Sequence, residues 1–223
     1  MLFFKRYKMR KLLTSDCYVA FFLLLVTWLL YVGPDYLLPT SIYYETFNIH
    51  TGLTALIAFV IACKVGVFKK VLTTFYYKNL FMFILYLVLG FVFIYFCYRI
   101  YFSLVPALET VSDNGIRLWD FLHTIPTWEG KLIVYILGPM FEELIFREYL
   151  YRLLKWKWLA FFVSSVFFAW VHSSFTISFF YYLPMGLTLG LVYQRRRVVT
   201  ESMMAHGLLN FIIDNVPAFT MYM

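Results

Sequence analysis

The sequence predicts an all-α fold, a polytopic membrane bundle of about seven transmembrane helices with its N-terminus in the cytoplasm. Three observations carry that reading. Of the 223 residues 63% are hydrophobic and 23% aromatic, only 14% are charged, and the mean hydropathy is +0.77; a water-soluble domain could not hide that much apolar surface. The apolar residues run in blocks close to the ~20 residues a helix needs to cross a hydrocarbon core. Between the blocks, Lys and Arg gather at alternate connections, as the positive-inside rule requires of a chain that weaves through a bilayer.

The elements follow in order. A basic segment, Lys5, Arg6, Lys8, Arg10 and Lys11, precedes an apolar run over 17–38. That run is too long for a cleaved signal and lacks a clean small-residue cleavage site, so it reads as a retained first helix. Further spans fall at 50–68 and 80–103, with Lys64, Lys69, Lys70 and Lys78 between them. A mixed-charge stretch around Glu109 to Glu129, with Asp113-Asn114-Gly115 as a turn signal, reads as an external loop or surface-lying segment. Four more spans are closely joined, at 131–154, 157–174, 176–194 and 198–215, with Arg152, Lys155 and Lys157 at one connection and Arg195, Arg196 and Arg197 at another. The chain reads as a single membrane domain over 1–223, with an N-terminal three-helix portion at 1–105 and a charged core at 131–215.

The formal charge of +7 does not point to nucleic acid, because the bases sit in short clusters between apolar runs instead of on one face. The lipid bilayer is the expected partner. Cys17, Cys63 and Cys97 are far apart, with no zinc-type spacing and no C-terminal prenylation box, and read as reduced, buried and structural.

The span at 131–154 carries charges that hydrocarbon would penalise. On a helix, Glu143 stacks with Arg147 and Glu148 with Arg152, each four residues apart with the acid first. Glu142 has no such partner on its own helix, since Gly138 and Phe146 occupy the neighbouring turns. A carboxylate with no charge partner in an apolar interior has its charged form disfavoured, which suits a general base or acid. Pro139, after Gly138, removes a backbone donor and predicts a kink or opening that admits water. Glu148 and Arg152 fall near the cytoplasmic end, where a lateral ion pair is the simpler reading.

Two of the four histidines, His50 and His123, lie in predicted external connections and read as surface residues. The other two sit in predicted helices, in Phe168-x-x-x-His172 and His206-x-x-x-Asn210, each pair sharing a helix face. At a rise of about 1.5 Å per residue, Glu142 and His206 both fall near the bilayer middle, and His172 toward the outer end of its span, where a longer helix would place it deeper. Glu142, His172, His206 and Asn210 can therefore meet in one polar pocket. A carboxylate, two imidazoles and an amide, with no Ser or Cys nucleophile at matching depth, fit hydrolysis by an activated water: Glu142 takes its proton with help from His172, while His206 and Asn210 donate to an oxyanion. A zinc version is conceivable, but there is no H-E-x-x-H and Asn is a poor zinc ligand, so no metal or other cofactor is expected.

In order, E-E-x-x-x-R at Glu142, Glu143 and Arg147, F-x-x-x-H at Phe168 and His172, and H-x-x-x-N at His206 and Asn210 resemble the CAAX protease and bacteriocin-processing family of intramembrane glutamic endopeptidases. The resemblance spans residues 131–215 and implies Glu142 with His172 as the water-activating pair and His206 with Asn210 as the oxyanion site. Glu143 and Arg147 would brace the site as an ion pair, with Phe168 packed beneath the His172 ring. Pro139 fits the proline often found before the paired glutamates. One departure is Glu148, where the family commonly has a small residue, often glycine.

The resemblance further implies a peptide or membrane-protein substrate. Short loops and the absence of an organelle signal resemble the bacterial branch, with its roles in peptide or bacteriocin processing, self-immunity and membrane-sensor regulation, and a multi-pass place in a bacterial plasma membrane. Two readings of other classes stay open: a non-catalytic immunity or interaction protein that binds a bacteriocin or sensor kinase, and a proton-coupled transporter, for which no inverted repeat is visible.

Overall fold

The computed structural model describes residues 72–104, 122–123, 125–173 and 176–215, with scattered positions between 52 and 63. The first expected span, most of the second, the basic N-terminal segment, Cys17, His50 and the turn at 113–115 lie outside the described residues; Cys63 is exposed and Cys97 half-buried, where both were expected to be buried.

Every regular element among the described residues is helical. Helix α1, Tyr77–Leu104, covers the span expected at 80–103, and it is the one helix among the described residues long and apolar enough to cross a membrane by length and composition. It buries Phe83, Ile94, Tyr98 and Tyr101 and exposes Phe81, Leu89, Val92 and Phe96, a surface suited to lipid and costly in water. The span expected at 131–154 is a helical run from Thr127 to Leu154 in five pieces: α2 Thr127–Leu132, π1 Ile133–Leu137, α3 Gly138–Glu143, π2 Leu144–Tyr149 and α4 Leu150–Leu154. Then come α5 Lys157–Ser173, α6 Phe179–Arg196 and α7 Val199–Asn215. The turns between α4 and α5 and between α6 and α7 are made by Lys155 and Arg197 at positive φ, 60° and 55°. Arg197 is held there by its guanidinium, which lies over the rings of Tyr151 and Tyr193 at 4.6 and 5.4 Å.

Small residues set the crossings. A Cβ on Gly186 of α6 would come within 2.8 Å of the Ser165 carbonyl oxygen, and one on Gly190 within 2.9 Å of the Phe161 ring. The Gly186-x-x-x-Gly190 spacing thus presents a flat stripe against α5, the way small residues let membrane helices approach. Gly90 of α1 likewise faces Thr188 of α6, where a Cβ would overlap the threonine methyl at 2.1 Å.

These contacts close one hydrophobic core in which Phe83 and Ile94 of α1 join Phe146, Phe168, Leu189, Val192, Ala205 and Leu209. The third expected span is therefore packed into the core that carries the motifs. At the basic end of α6, the fully buried Glu201 receives Arg195 and Arg196 at 2.5 Å each and the Thr74 hydroxyl at 3.0 Å. That cluster ties the start of α7 to the segment before α1.

Candidate functional site

The two glutamates end α3, the short α-helical segment held between two π turns. Pro139 sits in the first turn of α3 but inside the continuous helical run, where it cannot donate to the turn before it. The break expected at Gly138-Pro139 takes the form of π1 immediately before it and π2 immediately after the glutamates. Wide π turns recur at functional sites because they re-aim the side chains that follow.

Glu142, unpartnered on its own helix, finds its partners on two others. Its Oε2 lies 3.3 Å from Nε2 of His172 on α5 and 3.8 Å from Nε2 of His206 on α7. The same oxygen is buried and receives no hydrogen bond of good geometry among the described residues, which leaves it able to take a water. Glu142 and His172 stay partly accessible, with side chains 19% and 16% exposed, while His206 is closed off at 3%.

Each imidazole is fixed through its other nitrogen. Nδ1 of His172 lies 2.8 Å from the Phe168 carbonyl, an acceptor only, so Nδ1 carries the proton. The Phe168 ring stacks on the imidazole at 4.3 Å and 30°, as the four-residue spacing predicted, and Tyr182 adds a second ring at 5.0 Å. Nδ1 of His206 lies 3.0 Å from Oε1 of Glu143; facing a carboxylate, it too is the protonated nitrogen. Both Nε2 lone pairs are thereby turned toward Glu142. Two lone pairs and a carboxylate cannot face one another without repulsion, so the cluster holds at least one proton on these Nε2 and Oε2 atoms.

Glu143 is more than a partner for Arg147. Its Oε2 lies 3.3 Å from Arg147 Nε and receives the Ser202 hydroxyl, while Oε1 takes His206. Arg147, fully buried, donates onward to the Ser164 hydroxyl at 3.2 Å and the Gly186 carbonyl at 3.0 Å, and its guanidinium lies 5.5 Å from the Phe168 ring. Such bonds at the two terminal nitrogens offset part of the cost of burying the ion pair, although Arg147 Nε makes no hydrogen bond of good geometry. Sequence reasoning found the Glu143–Arg147 pair; it missed Ser202, Gly186 and Tyr182. Ser202 had a visible signal, one turn before His206 in S-x-x-x-H-x-x-x-N.

Asn210 donates one amide hydrogen to the carbonyl of Val134 in π1 at 2.9 Å. The expected oxyanion donor is thus anchored, with its second amide hydrogen still to give. Beyond it, Tyr135 hydrogen-bonds Asp214, so π1 and the end of α7 are tied at two levels.

Glu148, where a small residue was expected, is buried and accepts from Arg152 and from the Tyr193 hydroxyl at 3.0 Å. The larger side chain therefore becomes a cross-link from π2 to α6. His123 is exposed. Among the described residues no group of three His, Cys, Asp or Glu side chains is arranged to hold a metal ion.

The profile of the type II CAAX prenyl endopeptidase Rce1-like family matches residues 125–212, the stretch that holds every site residue. The UPF0177 protein YbdJ of Lactococcus lactis is 42% identical over 201 residues, covering 87% of this chain and 89% of the relative. This chain belongs to the CAAX protease and bacteriocin-processing family. Other members are less similar: the UPF0177 protein YbdI of Lactococcus lactis is 34% identical over 69% of this chain and 84% of its own. YdiL of Bacillus subtilis, named a candidate membrane peptidase, is 30% identical over 46% of this chain and 42% of its own. No solved structure matches the chain. The CAAX protease and bacteriocin-processing family is one of membrane proteases, in keeping with the helical build and apolar surface of the chain.

Proposed function

We propose that the chain is an intramembrane endopeptidase that hydrolyses a peptide bond through a water activated by Glu142. The observation that carries this reading is the approach of Glu142 Oε2 to Nε2 of both His172 and His206, three groups delivered by three separate helices. The water loses one proton to Glu142 as its oxygen attacks the carbonyl carbon, and the carbonyl electron pair moves onto oxygen. His172, with the pair's own proton on Nε2, steadies the carboxylate. The oxyanion accepts from the second amide hydrogen of Asn210 and from Nε2–H of His206. Since Nδ1 of His206 is already committed to Glu143, this donation needs the imidazolium form, and Glu143 supplies its counter-charge. When the C–N bond breaks, Glu142 returns the proton to the amine nitrogen, leaving a carboxyl and an amine product.

The reaction as written needs no metal and no other cofactor, because Glu142 both takes and returns the proton while the imidazoles hold theirs. The substrate is a peptide or membrane protein, and the setting is a bacterial plasma membrane; relatives from Lactococcus and Bacillus support the bacterial setting. Peptide or bacteriocin processing, self-immunity and membrane-sensor regulation are the roles such an activity would serve.

The test incubates purified protein, Glu142→Ala and His172→Ala with a pool of membrane-associated peptides, with and without a zinc chelator, and reads products by mass spectrometry. Cleavage that survives the chelator and disappears in both variants is the expected result. A cellular immunity phenotype that persists in Glu142→Ala would instead establish a non-catalytic binding protein.

A further inference from the structure

Among the described buried serines, Ser202 is the one whose hydroxyl meets a carboxylate. Ser165 and Ser173 bond carbonyls, Ser165 that of Phe161 on its own helix at 2.8 Å and that of Gly186 on α6 at 3.0 Å, Ser173 that of Ala169 at 2.6 Å, and Ser164 lies 3.4 Å from Phe161. Bonding back to a carbonyl of its own helix is the habit of serine there. Ser202, fully buried on α7, reaches away from its helix to Oε2 of Glu143 and to the Leu189 carbonyl of α6 at 3.2 Å. A hydroxyl has one proton for these two acceptors, and the ionised one forms the stronger bond. Glu143 is then held from three sides, by Ser202 and Arg147 Nε at Oε2 and by His206 Nδ1 at Oε1.

We infer that Ser202 is a positioning residue that sets the ring orientation and proton placement of His206 by holding the Glu143 carboxylate. Without that hydroxyl, the Arg147 guanidinium, whose Nε lies 3.3 Å away without a hydrogen bond of good geometry, is the remaining charge at Oε2, and the carboxylate is free to rotate toward it. Oε1 then leaves the line of His206 Nδ1, and the imidazole loses the partner that keeps its proton there and its Nε2 turned to Glu142. Ser202 touches no reacting atom in this scheme, so it acts through Glu143 alone. The structural step rests on the contacts themselves; its effect on turnover rests on the role proposed above for His206.

The first readout does not need activity. The chain has four histidines, so ¹⁵N-histidine labelling of the whole protein in lipid nanodiscs gives few signals, assignable with His→Gln variants. Ser202→Ala is expected to shift the two ring nitrogens of His206 and leave those of His172 in place, and Ser202→Thr, which keeps the hydroxyl, is expected to restore them. Ser202→Cys, close in volume with a weak donor, should give an intermediate pattern and covers the case in which the alanine variant does not fold. His206 signals identical to wild type in Ser202→Ala or Ser202→Cys would overturn the inference.

The second readout is cleavage: Ser202→Ala should lower kcat about 10- to 100-fold with KM nearly constant and Ser202→Thr should recover most of it, the range seen for residues that orient a histidine. The pH optimum should move in Ser202→Ala, which a loss of folded protein alone would not cause. An unchanged pH profile beside a proportional loss of folded protein would also overturn it. Cleavage surviving in Glu142→Ala would sink the proposed reaction and leave the nitrogen signals to decide Ser202.

Discussion

A Cβ placed on Gly207 would stand 2.2 Å from the carbonyl oxygen of Tyr135. At this point α7 crosses π1 backbone against backbone, between His206 and the Asn210 that donates to Val134. Substitution by alanine must push the two helices apart, and overpacking of this kind costs about 1–3 kcal/mol. Gly207→Ala should therefore lower the apparent Tm in detergent by several degrees and reduce activity more than the loss of folded protein explains. A wild-type Tm would show that the crossing is looser than described.

Glu142→Gln keeps the volume and removes the base. Its kcat should fall by about 100-fold or more, the contribution of a positioned general base, while the Tm stays near wild type. A matching loss in His172→Ala, with Phe168 still in place to fill the core, would assign the pair together. Steady-state cleavage of a peptide found in the pool experiment is the measurement.

Arg147 joins π2, α5 and α6 through one buried guanidinium. Arg147→Ala leaves Glu143 as a buried charge with less compensation, which typically costs about 3–5 kcal/mol. Arg147→Lys keeps the charge but cannot serve Glu143, Ser164 and the Gly186 carbonyl together, so it should be destabilised too, though less. Denaturant titration of both variants checks the order; a lysine variant as stable as wild type would mean that charge alone is required.

Glu148 and Tyr193 offer a cleaner pairwise test. Their hydrogen bond spans 3.0 Å between π2 and α6, and removing one partner of a buried bond to a charged group costs about 1.5–3 kcal/mol. A double-mutant cycle of Glu148→Ala and Tyr193→Phe should show a coupling of at least about 0.5 kcal/mol. Additive effects would reduce Glu148 to a simple ion pair with Arg152.

What was legible in the sequence was local. The four-residue pairs Glu143–Arg147, Glu148–Arg152 and Phe168–His172 all form as spaced, because one helical turn fixes them whatever surrounds the helix. The ends of the helices near 104, 154, 173, 196 and 215 were also readable, from charge and turn residues. Partners from other helices were not: that Glu143 serves His206, or that Arg147 reads the Gly186 carbonyl, depends on how closely α5, α6 and α7 cross. The Gly186-x-x-x-Gly190 stripe was the available clue to that closeness. The π turns left no mark that a hydrophobic pattern could show.

Those two π turns set a reading frame. In an α-helix each residue advances the side-chain direction by about 100°, and a π turn holds one residue more than the α turn it replaces. The segment that ends in Glu142 and Glu143 is thus phased separately from the helix on either side. Deleting one residue from Ile133–Leu137 would let that turn close as α and swing the two carboxylates about a quarter of a circle relative to α2, with the composition almost unchanged. A helical wheel drawn straight through the run would likewise put residues beyond the bulge on the wrong face. Homologues of this helix are therefore best aligned by their π turns first and their apolar faces second, since a one-residue gap here would turn Glu142 and Glu143 away from the histidines they now face.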